Sequence, residues 1–162
     1  MRVWRLTRRI HSAFDGEGSR LYGGRWSPRG VAVVYASGTA SLAALEYLVH
    51  LTAAQTPDDL VLIPIDIPDD LGIQAIGPSD LPADWRRYPA PDPLAEVGAE
   101  WARTLAGAVL QVPSALVPQE PNYLLNPVHP GFARLRIGAA QAFSLDPRLW
   151  KPRPGGRTRP RG

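Results

Sequence analysis

The sequence predicts an α+β domain built on a mostly antiparallel, strongly curved sheet with helices packed against it. Three observations lead there. Two β-rich runs, VAVVYA at 31–36 and LVLIPIDI at 60–67, read as buried strands. Only two stretches carry helical periodicity. The strands are spaced irregularly, so a regular βαβ series with a parallel sheet is excluded. A chain of 162 residues with 44% apolar content closes one hydrophobic core, a single domain over residues 1–150.

In chain order, Val3 to Leu6 opens as a short strand. The polar stretch His11–Gly30 is rich in turn formers and reads as a long loop, ordered by Phe14, Tyr22 and Trp26. Val31–Ala36 is the next strand. Ser37–Thr39 supplies helix N-cap residues ahead of a helix over Ala40–Ala54. Leu60–Ile67 is a strand that stops at Pro68, and the proline-rich segment 68–93 is connecting loop. Asp92-Pro93 forms an N-cap and first-turn pair opening a second helix to about Leu110, with Leu94, Val97, Trp101 and Leu105 at helical spacing. Ala115–Val117 reads as a short strand, Asn122–Pro130 as a structured loop, Phe132–Ile137 as a strand and Ala142–Leu145 as another. The twelve-residue stretch 151–162, KPRPGGRTRPRG, is a basic, low-complexity tail expected to be disordered.

Composition removes several function classes. With no cysteine, disulfide scaffolds and thiolate chemistry are excluded. His11, His50 and His129 stand alone, with no HxxxH or HExxH spacing, so no metal site is expected. No apolar run is long enough to span a bilayer and no signal-peptide core is visible, which points to a cytoplasmic protein without membrane contact. The pI near 9.7 suggests nucleic acid, but the tail holds five of the 18 basic residues and no acidic one. Residues 1–150 then carry 13 basic and 15 acidic groups, a slightly acidic body. Weak, salt-sensitive association with nucleic acid belongs to the tail, and a non-catalytic nucleic-acid-binding module is one reading of the chain.

A few residues break the bland pattern. On a helical wheel Glu46 falls about 40° from Leu42, beside the apolar stripe of Leu42, Leu45, Val49 and Ala53. Burying a charge is costly unless it is paired, so this carboxylate needs either an arginine partner at the stripe's edge or a functional reason. Arg25 sits in Gly23-Gly24-Arg25-Trp26, where glycines allow close backbone approach and a guanidinium can grip phosphate or carboxylate oxygens by two bonds. A solvated arginine in an ordinary turn is the alternative. Tyr35 ends a strand just before the Glu46 helix, either a core ring or a ligand-facing one. Ser114 follows Val112-Pro113, with no histidine at triad spacing. Asn122, Asn126 and His129 lie in a Pro-bounded stretch and read as residues that tie backbone together. The Gly-x-Gly in GEGSRLYGG does not link a strand to a helix, which rejects a dinucleotide-binding fingerprint.

The stretches RLYGGRWSPRGVAVVYASGTASLAALEYLVHL, VPSALVP and NYLLNPVHPGF resemble the RES-domain toxins, the toxic partner in bacterial toxin–antitoxin pairs. The resemblance runs from about Val3 to Leu145. It places the family's arginine, glutamate and serine at Arg25, Glu46 and Ser114, with Tyr35 as the aromatic of the site. It implies a fold like the ADP-ribosyltransferases and an activity on NAD⁺, cleaving the nicotinamide–ribose bond by phosphorolysis or hydrolysis. Inorganic phosphate is then a co-substrate in the first case, and no further cofactor is implied. Transfer of ADP-ribose to a protein is the alternative within enzymes. Ala44 stands where arginine-directed transferases carry the first acid of an ExE pair, which disfavours that subclass. An Xre-like helix-turn-helix antitoxin is the implied partner. On this reading Arg25 holds pyrophosphate or phosphate, Tyr35 packs on nicotinamide, Ser114 bonds a ligand oxygen, and Arg5 and Asn126 line the pocket.

Overall fold

The computed structural model describes residues 1–52 and 55–150. Ala53 and Ala54, the expected end of the first long helix, and the tail from Lys151 lie outside the described residues. Eight strands form one curled sheet: β1 (Arg2–Arg8), β2 (Val34–Ser37), β3 (Leu60–Asp66), β4 (Ile73–Ala75), β5 (Val109–Pro113), β6 (Pro121–Leu125), β7 (Arg136–Ile137) and β8 (Gln141–Ala142). Their order is β4-β5-β6-β2-β1-β3-β7, with β8 also on β3. Only β4 and β5 run parallel. The helices are α1 (Glu17–Tyr22), α2 (Ala40–Leu48) and α3 (Asp92–Arg103). The architecture is the expected α+β one, and several element boundaries differ from expectation.

Strand β3 keeps a proline in its middle at no cost to the ladder. Residues 61 and 62 pair with β8, and 65 and 66 pair with β7. The Pro64 carbonyl accepts from Gly138 on that same edge, so its missing N–H also faces the gap between the two short strands. Helix α2 opens at the predicted cap: Thr39 Oγ1 accepts from the Leu42 amide at 3.0 Å. It closes at Leu48. Leu42 and Ala43 are its buried residues, Ala43 packing with Leu6, Leu60 and Leu62, whereas Leu45 and Val49 are exposed. Of the expected stripe Leu42 is buried, but Ala43 and not Leu45 or Val49 completes the buried side, because contact with β1 and β3 selects it.

Helix α3 stops at Arg103, short of the expected Leu110; Leu105 turns back with φ +53° and frees Val109–Pro113 to become β5. Pro91, one residue earlier than expected, is its N-cap. The stretch read as a loop from Asn122 is the central strand β6, flanked by β2 and β5. Ala115–Val117 is irregular bend, Pro130–Arg134 is a 3₁₀ turn that leaves only β7 of the expected strand, and β8 replaces the Ala142–Leu145 strand. The His11–Gly30 segment contains α1, too short to leave a periodic signal.

Two apolar layers cover the sheet. On one face α3 brings Leu94 and Trp101 against Trp26, Trp85, Leu110 and Leu124, and α2 covers the neighbouring strands. On the other, Val3, Val34, Ile65, Val109 and Leu125 pack beneath Phe14, Ile73 and Phe132. Glu46, Tyr35 and Asn122 belong to the helix-covered face.

Candidate active site

Arg25 sits at the tip of a tight turn. Gly24 N–H donates to the Ser27 carbonyl at 2.8 Å, and Ser27 N–H donates back at 3.4 Å. Trp26, 2% exposed, anchors the turn in the core. Helix α3 approaches so closely that a Cβ on Gly98 would collide with the Trp26 carbonyl oxygen. The guanidinium is then held by main chain: Nη1 donates to the Trp85 carbonyl at 2.6 Å and the Arg87 carbonyl at 3.2 Å, and Nη2 donates to Arg87 at 3.2 Å. Burial lowers its pKa, and the charge of Glu46 opposes that shift. An arginine keeps its charge regardless.

Tyr35 meets the same turn. Its Oη accepts from Trp26 N–H at 3.2 Å and shares a hydrogen bond with Ser27 Oγ at 2.9 Å. A Cβ on Gly24 would stand 2.6 Å from that oxygen, so only glycine fits there. Burial raises the phenol pKa above its ordinary 10.0, against the smaller pull of the Ser27 and Trp26 bonds. The hydroxyl is neutral and spent internally.

Glu46 lies on α2, partly exposed, and its partners are neutral. Oε1 accepts from Ser114 Oγ at 2.7 Å and from Asn122 Nδ2 at 2.6 Å. Ser114 is fully buried; its Oγ also accepts the Leu116 and Val117 amides at 3.1 and 3.0 Å. Asn122 Oδ1 accepts from Ser37 Oγ at 2.7 Å. The start of α2 is tied to the same segment. Thr39 Oγ1 donates to Glu120 Oε2 at 2.9 Å, and Ser114 N–H donates to the Glu120 carbonyl at 3.1 Å. No arginine pairs with Glu46 within salt-bridge distance among the described residues. One carboxylate oxygen is pinned and Oε2 carries no protein hydrogen bond among them.

The structure therefore brings together Arg25, Tyr35, Glu46 and Ser114, with Ser114 behind Glu46 rather than facing a ligand. Arg5 and Asn126 are elsewhere, correcting their expected place in the pocket lining. Trp4 is the β1 residue paired with Ser37, so its neighbour Arg5 points to the opposite face. There Nη2 donates to the His11 carbonyl at 3.1 Å and the guanidinium stacks 5.1 Å from the Phe14 ring centre. Asn126 is fully buried, donating to the Ala102 carbonyl at 3.0 Å and accepting from Val128 N–H at 3.2 Å. His129 Nδ1 accepts from Gly131 N–H at 2.9 Å. Asn122, read as a backbone tie, is instead a partner of Glu46. Its only sequence signal was the strand character of Tyr-Leu-Leu after it.

Among the described residues no group of three or more His, Asp or Glu could hold a metal ion. Nor is any helix long and apolar enough to cross a membrane.

The RES domain family model matches residues 2–146. The chain belongs to the RES-domain family. This RES domain is 39% identical over 153 residues to a protein named Toxin Res from Yersinia enterocolitica, covering 92% of this chain and 99% of that one. It is 36% identical over 152 residues to the Prs ADP-ribosylating toxin of a Sphingobium species, covering 90% and 94%. Its fold is that of the toxin in the crystal structure of the MbcT–MbcA toxin–antitoxin complex of M. tuberculosis, with a TM-score of 0.68, 23% identity, and 92% and 86% of the two chains covered.

Proposed function

We propose that this RES-domain toxin cleaves the nicotinamide–ribose bond of NAD⁺. The observation that carries the reading is the half-pinned carboxylate: Glu46 is held through Oε1 by Ser114 and Asn122, with Oε2 unclaimed and the Arg25 charge near enough to act on it. As nicotinamide leaves as a neutral amine, the ribose C1 gains oxocarbenium character. A fixed carboxylate bonded to the ribose hydroxyls stabilises that charge without reorganising. Arg25, already oriented by two carbonyls, offers its remaining N–H groups to pyrophosphate or an attacking phosphate. The Tyr35 ring face packs on the departing nicotinamide. The ribosyl centre then passes to water or inorganic phosphate.

An Xre-like helix-turn-helix antitoxin that covers the site is the partner on this reading, supported by the neighbour's capture in a toxin–antitoxin complex. Purified protein given NAD⁺ should release nicotinamide, faster with added phosphate if the route is phosphorolysis. A folded protein that releases none would sink the proposal. The Sphingobium relative's name favours a second reading, ADP-ribosyl transfer to a protein. With NAD⁺ labelled in its ADP-ribose moiety, label fixed on protein supports transfer, and label recovered as free ADP-ribose or its 1″-phosphate supports breakdown.

A further inference from the structure

We infer that Asn122, seated by Ser37, is a positioning residue for Glu46 that decides which carboxylate oxygen faces the reacting sugar. The inference rests on the NAD⁺-cleaving reading above and deepens it. An ionised carboxylate only accepts hydrogen bonds, so the Asn122 NH₂ must face Glu46. Its carbonyl then faces Ser37, whose hydroxyl, 4% exposed, donates to it at 2.7 Å. That one bond selects the amide's orientation. The β2–β6 register sets the two residues directly opposite, and the Ser37 carbon skeleton cannot slide without unpairing Tyr35 from Leu124 in the same ladder.

The second donor on Oε1, Ser114, directly follows the last residue of β5. One donor on β6 and one just past the end of β5 converge at 2.6 and 2.7 Å on a single oxygen. A single donor would leave the carboxylate free to rotate about its last bond. Two donors on the same oxygen, with none on the other among the described residues, fix the carboxylate's rotation and leave Oε2 for the sugar. Asn122 thus acts through Glu46 and touches no ligand.

The test compares nicotinamide release by wild type, Asn122→Ala, Asn122→Asp and Ser37→Ala across pH. Loss of one charge-assisted hydrogen bond predicts that Asn122→Ala lowers kcat about 10- to 100-fold while KM for NAD⁺ changes far less. Ser37→Ala, which leaves the amide in place but loosens it, should cost only a few-fold. The near-isosteric Asn122→Asp sets two carboxylates at hydrogen-bond distance, where both cannot be ionised until higher pH. Its pH–rate profile should therefore have its acid limb moved upward, a change that loss of packing alone does not produce. Independently of turnover, the Asn122 side-chain amide NMR signal should move on Glu46→Gln. An active wild type whose Asn122→Ala variant keeps near-full kcat overturns the inference, as does an Asn122 amide signal blind to Glu46→Gln. An inert wild type whose amide still responds overturns the NAD⁺ reading and keeps the support of the carboxylate.

Discussion

The two ends of the site are held by different means. At the carboxylate end the bonds that reach Glu46 and Asn122 run from side chain to side chain: Ser114 and Asn122 on Glu46, Ser37 on Asn122. At the guanidinium end the contacts run from the Arg25 side chain to the backbone of the loop before α3. The difference follows from the charges. An anion needs donors, and on a strand the main-chain donors are already committed to the ladder, so side chains must supply them. A cation needs acceptors, and loop carbonyls are free to turn inward. The carboxylate end is therefore exposed to point substitution of its supports, while the guanidinium end fails only when the loop itself moves.

The largest effect should come from the group both ends serve. Glu46→Gln keeps shape and hydrogen-bonding capacity but removes the charge, and nicotinamide release should fall roughly 10³-fold with unchanged thermal unfolding. Normal turnover by that variant would end the assignment of Glu46. Next is Trp85→Ala. The ring is buried in the core beside Trp26, and its removal should cost about 3–5 kcal/mol, measurable by chemical denaturation. Because the Trp85 carbonyl orients Arg25, the folded fraction of this variant should also bind NAD⁺ more weakly. If activity per folded molecule were untouched, the loop would not be the support claimed for it.

A smaller change is expected from Arg25→Lys. An ammonium keeps the charge but cannot reach two carbonyls and a phosphate with one rigid fork, so KM for NAD⁺ should rise about tenfold or more. An unchanged KM would mean that charge alone suffices at this end. The smallest effect lies outside both ends. Hydrogen bonds from Arg8 and Arg2 hold the Asp59 and Asp66 carboxyls below their ordinary 3.8. A carboxyl lowered in the folded state stabilises the fold above its unfolded pKa, and that contribution fades as pH falls through the lowered folded value. Asn at both positions should slightly flatten the loss of stability below about pH 4 and leave activity at neutral pH alone. A steep change in neutral activity would show that the exposed ends of β3 communicate with the site.

Much of the fold was legible where its cause is local. Thr39 as a cap, Leu60–Asp66 as a strand and Pro93 in a first helical turn are each decided within a few residues. The failures have tertiary causes. Asn122 between prolines resembled a loop, yet hydrogen bonding to two neighbouring strands makes it part of β6. Of the α2 stripe placed on Leu42, Leu45 and Val49, only Leu42 is buried; Ala43, packed on β1 and β3, takes the place of Leu45 and Val49. Arg5 and Asn126 looked ligand-ready because both are polar; one turns to the opposite face and the other ties α3 to the turn after β6.

By itself, then, the sequence determined the class of fold, because strand runs and irregular spacing are visible over short spans, and its resemblance to the RES family marked Arg25 and Glu46 as candidates that their local patterns left open. Only the tertiary structure decided how that pair is held. Glu46 meets donors 68 and 76 residues away, and Arg25 meets carbonyls 60 and 62 residues away. Bonds of that reach depend on strand order and register, which no local pattern encodes.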